Sequence, residues 1–205
     1  MLPCGQRARS RWSWRRRRTR GSTHVVRSAA RAEPRRRARG AADESVDVFI
    51  EIPRGSRTKY ELDRSSGHIR LDRVLFSSVH YPADYGFVMD TVGGDGDPLD
   101  AVVIVEEPTF PGCVVRARPV GTLFMDDEHG NDEKILAVPV GDPRFDEITR
   151  LDDLAAHWRR EIETFFATYK ELEQGKTAAI KGWRDADVAW RLIRESRARG
   201  AKAKR

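Results

Sequence analysis

From Val46 to about residue 140, apolar and polar side chains alternate in short stretches separated by turn residues. "VDVFIEIP" (46–53) alternates with period two and stops at Pro53, which has no N–H to give a sheet ladder, so it predicts a strand. "TKYELD" (58–63) and "IRLDRVLF" (69–76) flank the turn residues "RSSG", a hairpin pattern. "LDAVVIVEE" (99–107) is almost continuously apolar, as suits a strand buried on both faces. "GCVVRARPVGTLFMDD" and "EKILAVPV" follow, joined by a turn at His129 to Asn131. Strands of this number and spacing predict a small closed or nearly closed barrel.

After residue 150 the period changes. Leu151, Leu154, Ala155, Trp158, Ile162, Phe165, Phe166, Tyr169 and Leu172 recur at intervals of three and four, the stripe of an amphipathic helix that ends before Gly175. "DADVAWRLIRESRARG" (185–200) predicts a second, more charged helix. The fold class is α+β, a β-barrel with its helices in the C-terminal part.

Composition divides the chain of 205 residues in two. Residues 1–45 hold fourteen arginines against three acids, a net charge of +11, whereas residues 46–205 hold twenty-four bases against twenty-nine acids, a net charge of −5. The high pI therefore belongs to the N-terminal segment and says nothing about what the body binds. That segment lacks an apolar period and reads as a disordered extension. It has no apolar run for a secretory signal, though its Arg- and Ser-rich, acid-poor composition is also that of an organelle transit peptide or a nucleic-acid-binding tail. Its first lysine comes only at Lys59, beyond the segment, and an arginine-only bias fits GC-rich upstream DNA read as protein, with the start of the domain near Val46. No stretch is long and apolar enough to span a bilayer. Two cysteines, Cys4 and Cys113, give neither metal spacing nor a disulfide framework, which fits a reducing, cytoplasmic setting.

The candidate chemistry lies in "GGDGDPLD". Asp95, Asp97 and Asp100 fall within six residues, and three carboxylates so crowded repel one another unless something positive sits among them. Asp95 and Asp97 project to one side of an extended chain, Gly96 leaves room between them, and Pro98 stiffens the return to Asp100. Such a cage suits hard divalent cations. An EF-hand loop starting at Asp95 fails, because its fifth and sixth positions are Leu99 and Asp100 where a ligand and a glycine are required. A solvated turn with surplus acids is the plain alternative. A second acidic cluster, "MDDEHGNDEK", reads equally as a hairpin tip or a site. Lys59 with Glu61, Arg73, Tyr81, Tyr85, and Tyr169 beside Lys170 add the cations and phenols that phosphate oxygens require, although Tyr169 also sits on the apolar helix stripe.

These residues resemble the soluble family I inorganic pyrophosphatases, and the chain is similar to their actinobacterial members. "DGDPLD" matches the family's signature of three aspartates. It is supported in order by "IEIPRGSRTKYELD", "LDRVLF", "YPADYGF", "RPVG", "MDDEHGNDEK" and "FFATYKELEQGK", from about Val46 to about residue 197. The resemblance implies that Asp95, Asp100 and Asp132 hold a first Mg²⁺, with Asp100 shared by a second, and that Asp127 and Glu51 hold ions arriving with substrate. Lys59, Arg73, Tyr85, Tyr169 and Lys170 would contact the phosphates, with Glu61, Tyr81 and Lys134 lining the site. The general base matches Asp97, a role also given to Asp132. Gln174, where a proline is common, is the one small departure. The family further implies a five-stranded OB-type barrel, a bacterial homohexamer, a cytoplasmic place and Mg²⁺-dependent hydrolysis of pyrophosphate.

Two other classes remain open to the residues alone. A nucleic-acid-binding barrel would need aromatic side chains on a basic face, whereas this body is acidic. A calcium-binding module would leave Lys59, Arg73 and Tyr169 without a purpose.

Overall fold

A computed structural model describes residues 45–128 and 130–203. The Arg-rich extension expected over residues 1–45 and the predicted turn residue His129 lie almost wholly outside them. Eight strands and two α-helices follow in chain order: β1 (Val46–Ile52), β2 (Thr58–Asp63), β3 (His68–Val74), β4 (Asp84–Val88), β5 (Asp100–Val103), β6 (Val114–Asp127), β7 (Gly130–Pro139), α1 (Ala156–Thr168), β8 (Ala178–Asp185) and α2 (Ala186–Ala203).

The main sheet has the order β1-β4-β5-β7-β6-β8, and β1 also pairs with β6. That extra pairing joins the ends of a five-stranded set and closes the predicted barrel, with β8 added outside on β6. The β2–β3 hairpin forms a separate two-stranded sheet. Closure depends on one close approach. A Cβ at Gly86 on β4 would lie 1.9 Å from the carbonyl oxygen of Phe49 on β1, so only glycine fits beside the irregularity between Ile50 and Ile52.

Residues on opposite faces of β5 and β7 feed two different cores. Val102, Leu136 and Val138 join Leu123, Met125, Ile162, Phe165 and Phe166 around α1. Ala101, Val103, Ile135 and Ala137 join Val46, Val48, Ile50, Ala189 and Ile193 around α2. Burial on both faces explains why these strands read as apolar runs without alternation.

The helix expected from Leu151 to Leu172 is shorter at both ends. Leu151 and Leu154 are buried, but from a single 3₁₀ turn at Leu151–Asp153. At the other end the chain leaves the helix at Tyr169 and runs through tight turns, in which Glu171 N–H donates to the Thr168 carbonyl and Glu173 N–H to that of Lys170. Leu172 is consequently exposed, and Tyr169 and Lys170 turn toward the barrel mouth. Strand β8 between the helices has no counterpart in the sequence reading; Trp183 on it donates through Nε1 to Glu163 of α1 at 2.5 Å. Among the described residues no helix is long and apolar enough to cross a membrane.

Candidate active site

A cleft of about 800 Å³ opens at one end of the barrel. Each strand delivers its share by position. Glu51 comes from β1, Lys59 and Glu61 from β2, Arg73 from β3, Tyr85 from β4, and Asp100 is the first residue of β5. Asp127 ends β6, and Asp132 and Lys134, two apart on β7, face the same side. Tyr169 and Lys170 enter from the turn after α1.

Asp95 and Asp97 reach the cleft from the turn between β4 and β5. The Asp95 carboxylate accepts the Asp97 N–H at 3.0 Å, and Gly96 between them has φ of +96°, a conformation that favours glycine. This local bond keeps the two acids together at the rim. Asp97 is highly exposed, and its Oδ1 lies 3.6 Å from a guanidinium nitrogen of Arg64.

The interior is more tightly paired. In the parallel register of β5 and β7, Asp100 lies opposite Lys134. Lys134, a residue only 3% exposed, bonds through its ammonium to Asp100 and, at 2.5 Å, to Asp132 Oδ1. It also stands 5.7 Å from the ring centre of Tyr85 and 5.8 Å from that of Phe166. Burial alone would pull this ammonium down, but the charges of Asp100 and Asp132 hold it above the ordinary lysine range. Glu51 and Asp132 are pushed up by burial, with the charge of Asp100 adding to it. Burial likewise raises the Tyr85 and Tyr169 phenols, so they are present as hydroxyl donors.

Glu51 accepts the Leu62 N–H at 2.7 Å and so ties the β2–β3 hairpin to the barrel wall. Lys59 bonds to Glu61 and to Asp72, and Lys170 lies 3.3 Å from Asp127 and 3.2 Å from Glu128. Every sequence-derived site residue lines this cleft except Tyr81, which is buried behind its wall against Phe165 and Tyr85. Glu128, from the second acidic cluster, lines it as well, and so do Arg64, Asp72 and Lys176, which nothing local in their stretches marks.

The donor set suits a hard divalent cation, because Glu51, Asp95, Asp100, Asp127 and Asp132 offer carboxylate oxygens and neither sulfur nor imidazole. As they stand, no three acidic, histidine or cysteine side chains among the described residues are gathered so that they could hold an ion. Lysine ammonium groups meet three of the acids, Lys134 at Asp100 and Asp132 and Lys170 at Asp127.

A closed barrel whose mouth crowds carboxylates against lysine, arginine and phenol groups defines a protein that handles small, dense anions together with cations. Comparisons with known proteins give the class a narrower name. The family model for inorganic pyrophosphatase matches residues 48–201, and the chain belongs to that family and is therefore a hydrolase. It is similar to the inorganic pyrophosphatase of Leifsonia xyli, 53% identical over 149 residues that span 73% of this chain and 91% of that protein. Among solved structures, the inorganic pyrophosphatase of Thermus thermophilus is 45% identical with a TM-score of 0.76, covering 79% of this chain and 94% of that one. The inorganic pyrophosphatase of Helicobacter pylori is 42% identical with the same TM-score of 0.76, covering 77% and 94%.

Proposed function

We propose that the protein hydrolyses inorganic pyrophosphate to two phosphates with Mg²⁺ as its cofactor. The observation that carries this reading is the meeting of five carboxylates with Lys59, Arg73, Lys170 and Tyr169 around one cleft. Asp95, Asp100 and Asp132 would hold the first ion, Asp100 would be shared with a second, and Asp127 and Glu51 would take those that enter with substrate. An ion held there would supply positive charge that offsets the negative charge of the substrate and would lower the pKa of a bound water toward neutrality.

The chain's own groups do the rest. Lys59, Arg73 and Lys170 neutralise phosphate oxygens, and Tyr85 and Tyr169, kept protonated by burial, donate hydrogen bonds. The Asp97 carboxylate, exposed at the rim, accepts a proton from the attacking water, whose oxygen forms the new bond to one phosphorus as the bridging P–O bond breaks. Positive charge from Lys and Arg then stabilises the departing phosphate. Asp132 is the less suitable base, because its oxygen already accepts from Lys134. Glu61 and Lys134 orient these groups without touching the reacting atoms.

The reading places catalysis in residues 46–205 and gives residues 1–45 no part in the chemistry. It takes the protein as a cytoplasmic homohexamer, supported by the family resemblance, and sedimentation analysis measures that state. Phosphate release by the full chain, with Mg²⁺ and again with EDTA, beside Asp97→Asn, tests the activity. Release that requires Mg²⁺ and falls at least about a hundredfold in Asp97→Asn is expected; undiminished release by that variant would remove Asp97 from its role.

A further inference from the structure

Two carboxylates near the cleft, Asp72 and Glu173, take no part in the proposed metal or proton chemistry. Asp72 on β3 accepts from Lys59 Nζ at 3.0 Å and from Arg73 Nη1 at 2.5 Å, and both bonds end on the same atom, Oδ2. Glu173, in the turn after α1 and one hundred residues further along, accepts from Arg73 Nε at 3.0 Å. Its side chain is 7% exposed, an unusual burial for a carboxylate.

The backbone explains how adjacent residues serve one point. Along a regular strand, Asp72 and Arg73 would project to opposite faces. In the β2–β3 hairpin, however, Lys59 pairs with Arg73 and Tyr60 with Leu71, which leaves Asp72 as the extra residue of a bulge. Bulges re-aim side chains, and this one brings Asp72 alongside its neighbour to the Lys59 ammonium.

An ammonium and a guanidinium drawn to one place repel each other, and a shared anionic oxygen between them offsets that repulsion. Glu173 meanwhile fixes the guanidinium from its Nε edge, leaving further N–H groups for a phosphate. We infer that Asp72 and Glu173 are positioning residues, which hold Lys59 and Arg73 as a preformed two-pronged clamp for phosphate oxygens. This deepens the proposed hydrolysis and rests on it for the identity of the anion.

Charge alone makes the opposite prediction. Removing an acid beside two phosphate-binding cations would strengthen anion binding, so KM would fall and kcat would hold. Positioning predicts that kcat falls about tenfold in Asp72→Ala and in Glu173→Ala while KM changes less than about threefold. Asp72→Asn and Glu173→Gln keep an oxygen acceptor at the same place and should recover most of the loss. These conservative variants also keep the test readable if an alanine variant fails to fold.

The decisive experiment measures kcat and KM for pyrophosphate with Mg²⁺ in the full chain and the four variants, and inorganic phosphate binding by calorimetry in parallel. Loss in the alanine variants with rescue by Asn and Gln, and weaker phosphate binding in Asp72→Ala, supports the clamp. Variants equal to wild type, or a lowered KM shared by Asp72→Ala and Asp72→Asn, overturns it while leaving the hydrolysis intact. If the wild-type chain releases no phosphate, the proposed hydrolysis is what fails, and unweakened phosphate binding in the alanine variants would still refute the clamp.

Discussion

Asp84 and Asp100 stand on neighbouring strands of one sheet, yet they are held in unlike ways. Asp84, fully buried, accepts from the backbone N–H groups of Arg54 at 2.8 Å and Thr109 at 3.1 Å and from the Thr109 hydroxyl at 2.7 Å. Its partners are neutral, short and fixed. Asp100 faces the cleft and is met by the head of Lys134, a long side chain that also holds Asp132. The first arrangement anchors the loops that follow β1 and β5; the second balances charge with an ammonium on a long four-carbon stem that is shared with another carboxylate. A buried acid satisfied by backbone is structural, and one satisfied by a flexible ammonium is available for exchange.

Substitutions should separate the two. The largest effect is expected on turnover: Asp100→Asn should lower phosphate release by at least about a hundredfold while shifting unfolding free energy by less than about 1 kcal/mol, read from a denaturant midpoint. Lys134→Met should come next. It leaves Asp100 and Asp132 facing each other without compensation, so thermal stability should drop in EDTA and be restored largely by Mg²⁺, with activity reduced about tenfold or more. Asp84→Ala should do the reverse of Asp100→Asn. Three donors lose their acceptor, so stability should fall by about 2–4 kcal/mol while turnover per folded molecule holds. A matching loss of specific activity in Asp84→Ala would collapse the distinction.

The smallest effect concerns acid. Although burial works against it, hydrogen bonds from Lys176 and Lys170 hold the Glu128 carboxyl at about 2, below its ordinary 4.5. A carboxyl depressed on folding contributes stability that is complete above its unfolded value and is lost as pH falls toward the folded one. The melting temperature should therefore decline between pH 4.5 and about 2, and Lys176→Met should make that decline shallower. An unchanged slope would show that Lys176 does not hold the Glu128 charge.

Much of this was legible along the chain, and the exceptions have local causes. The hairpin around "RSSG" and the strands at 46–53 and 99–107 declare themselves through alternation or an unbroken apolar run. Asp95, Asp97 and Asp100 stand out because their crowding is a short-range property. Strand β8 escapes notice because "AAIKGWRD" is small, charged and interrupted by Gly182. The helix was overdrawn because Leu151 and Leu154 keep its apolar spacing while lying in a turn before it. Tyr81 reads like Tyr85 in sequence, and only packing against Phe165 sets it behind the wall. Asp72 and Glu173 depend on a bulge and on a contact one hundred residues long, neither of which a window of sequence contains.

The parallel register that sets Asp100 opposite Lys134 also bears on when the molecule becomes functional. These residues are 34 apart, and the whole of β6 is threaded between them in sequence. Parallel strands cannot be joined by a tight turn, so their pairing waits for loop closure after the local hairpins have formed. During refolding or synthesis, the Asp100–Lys134 pairing should therefore follow the β2–β3 and β6–β7 hairpins, and a chain that stops short of β7 lacks Asp132 and Lys134 and with them part of the acidic centre.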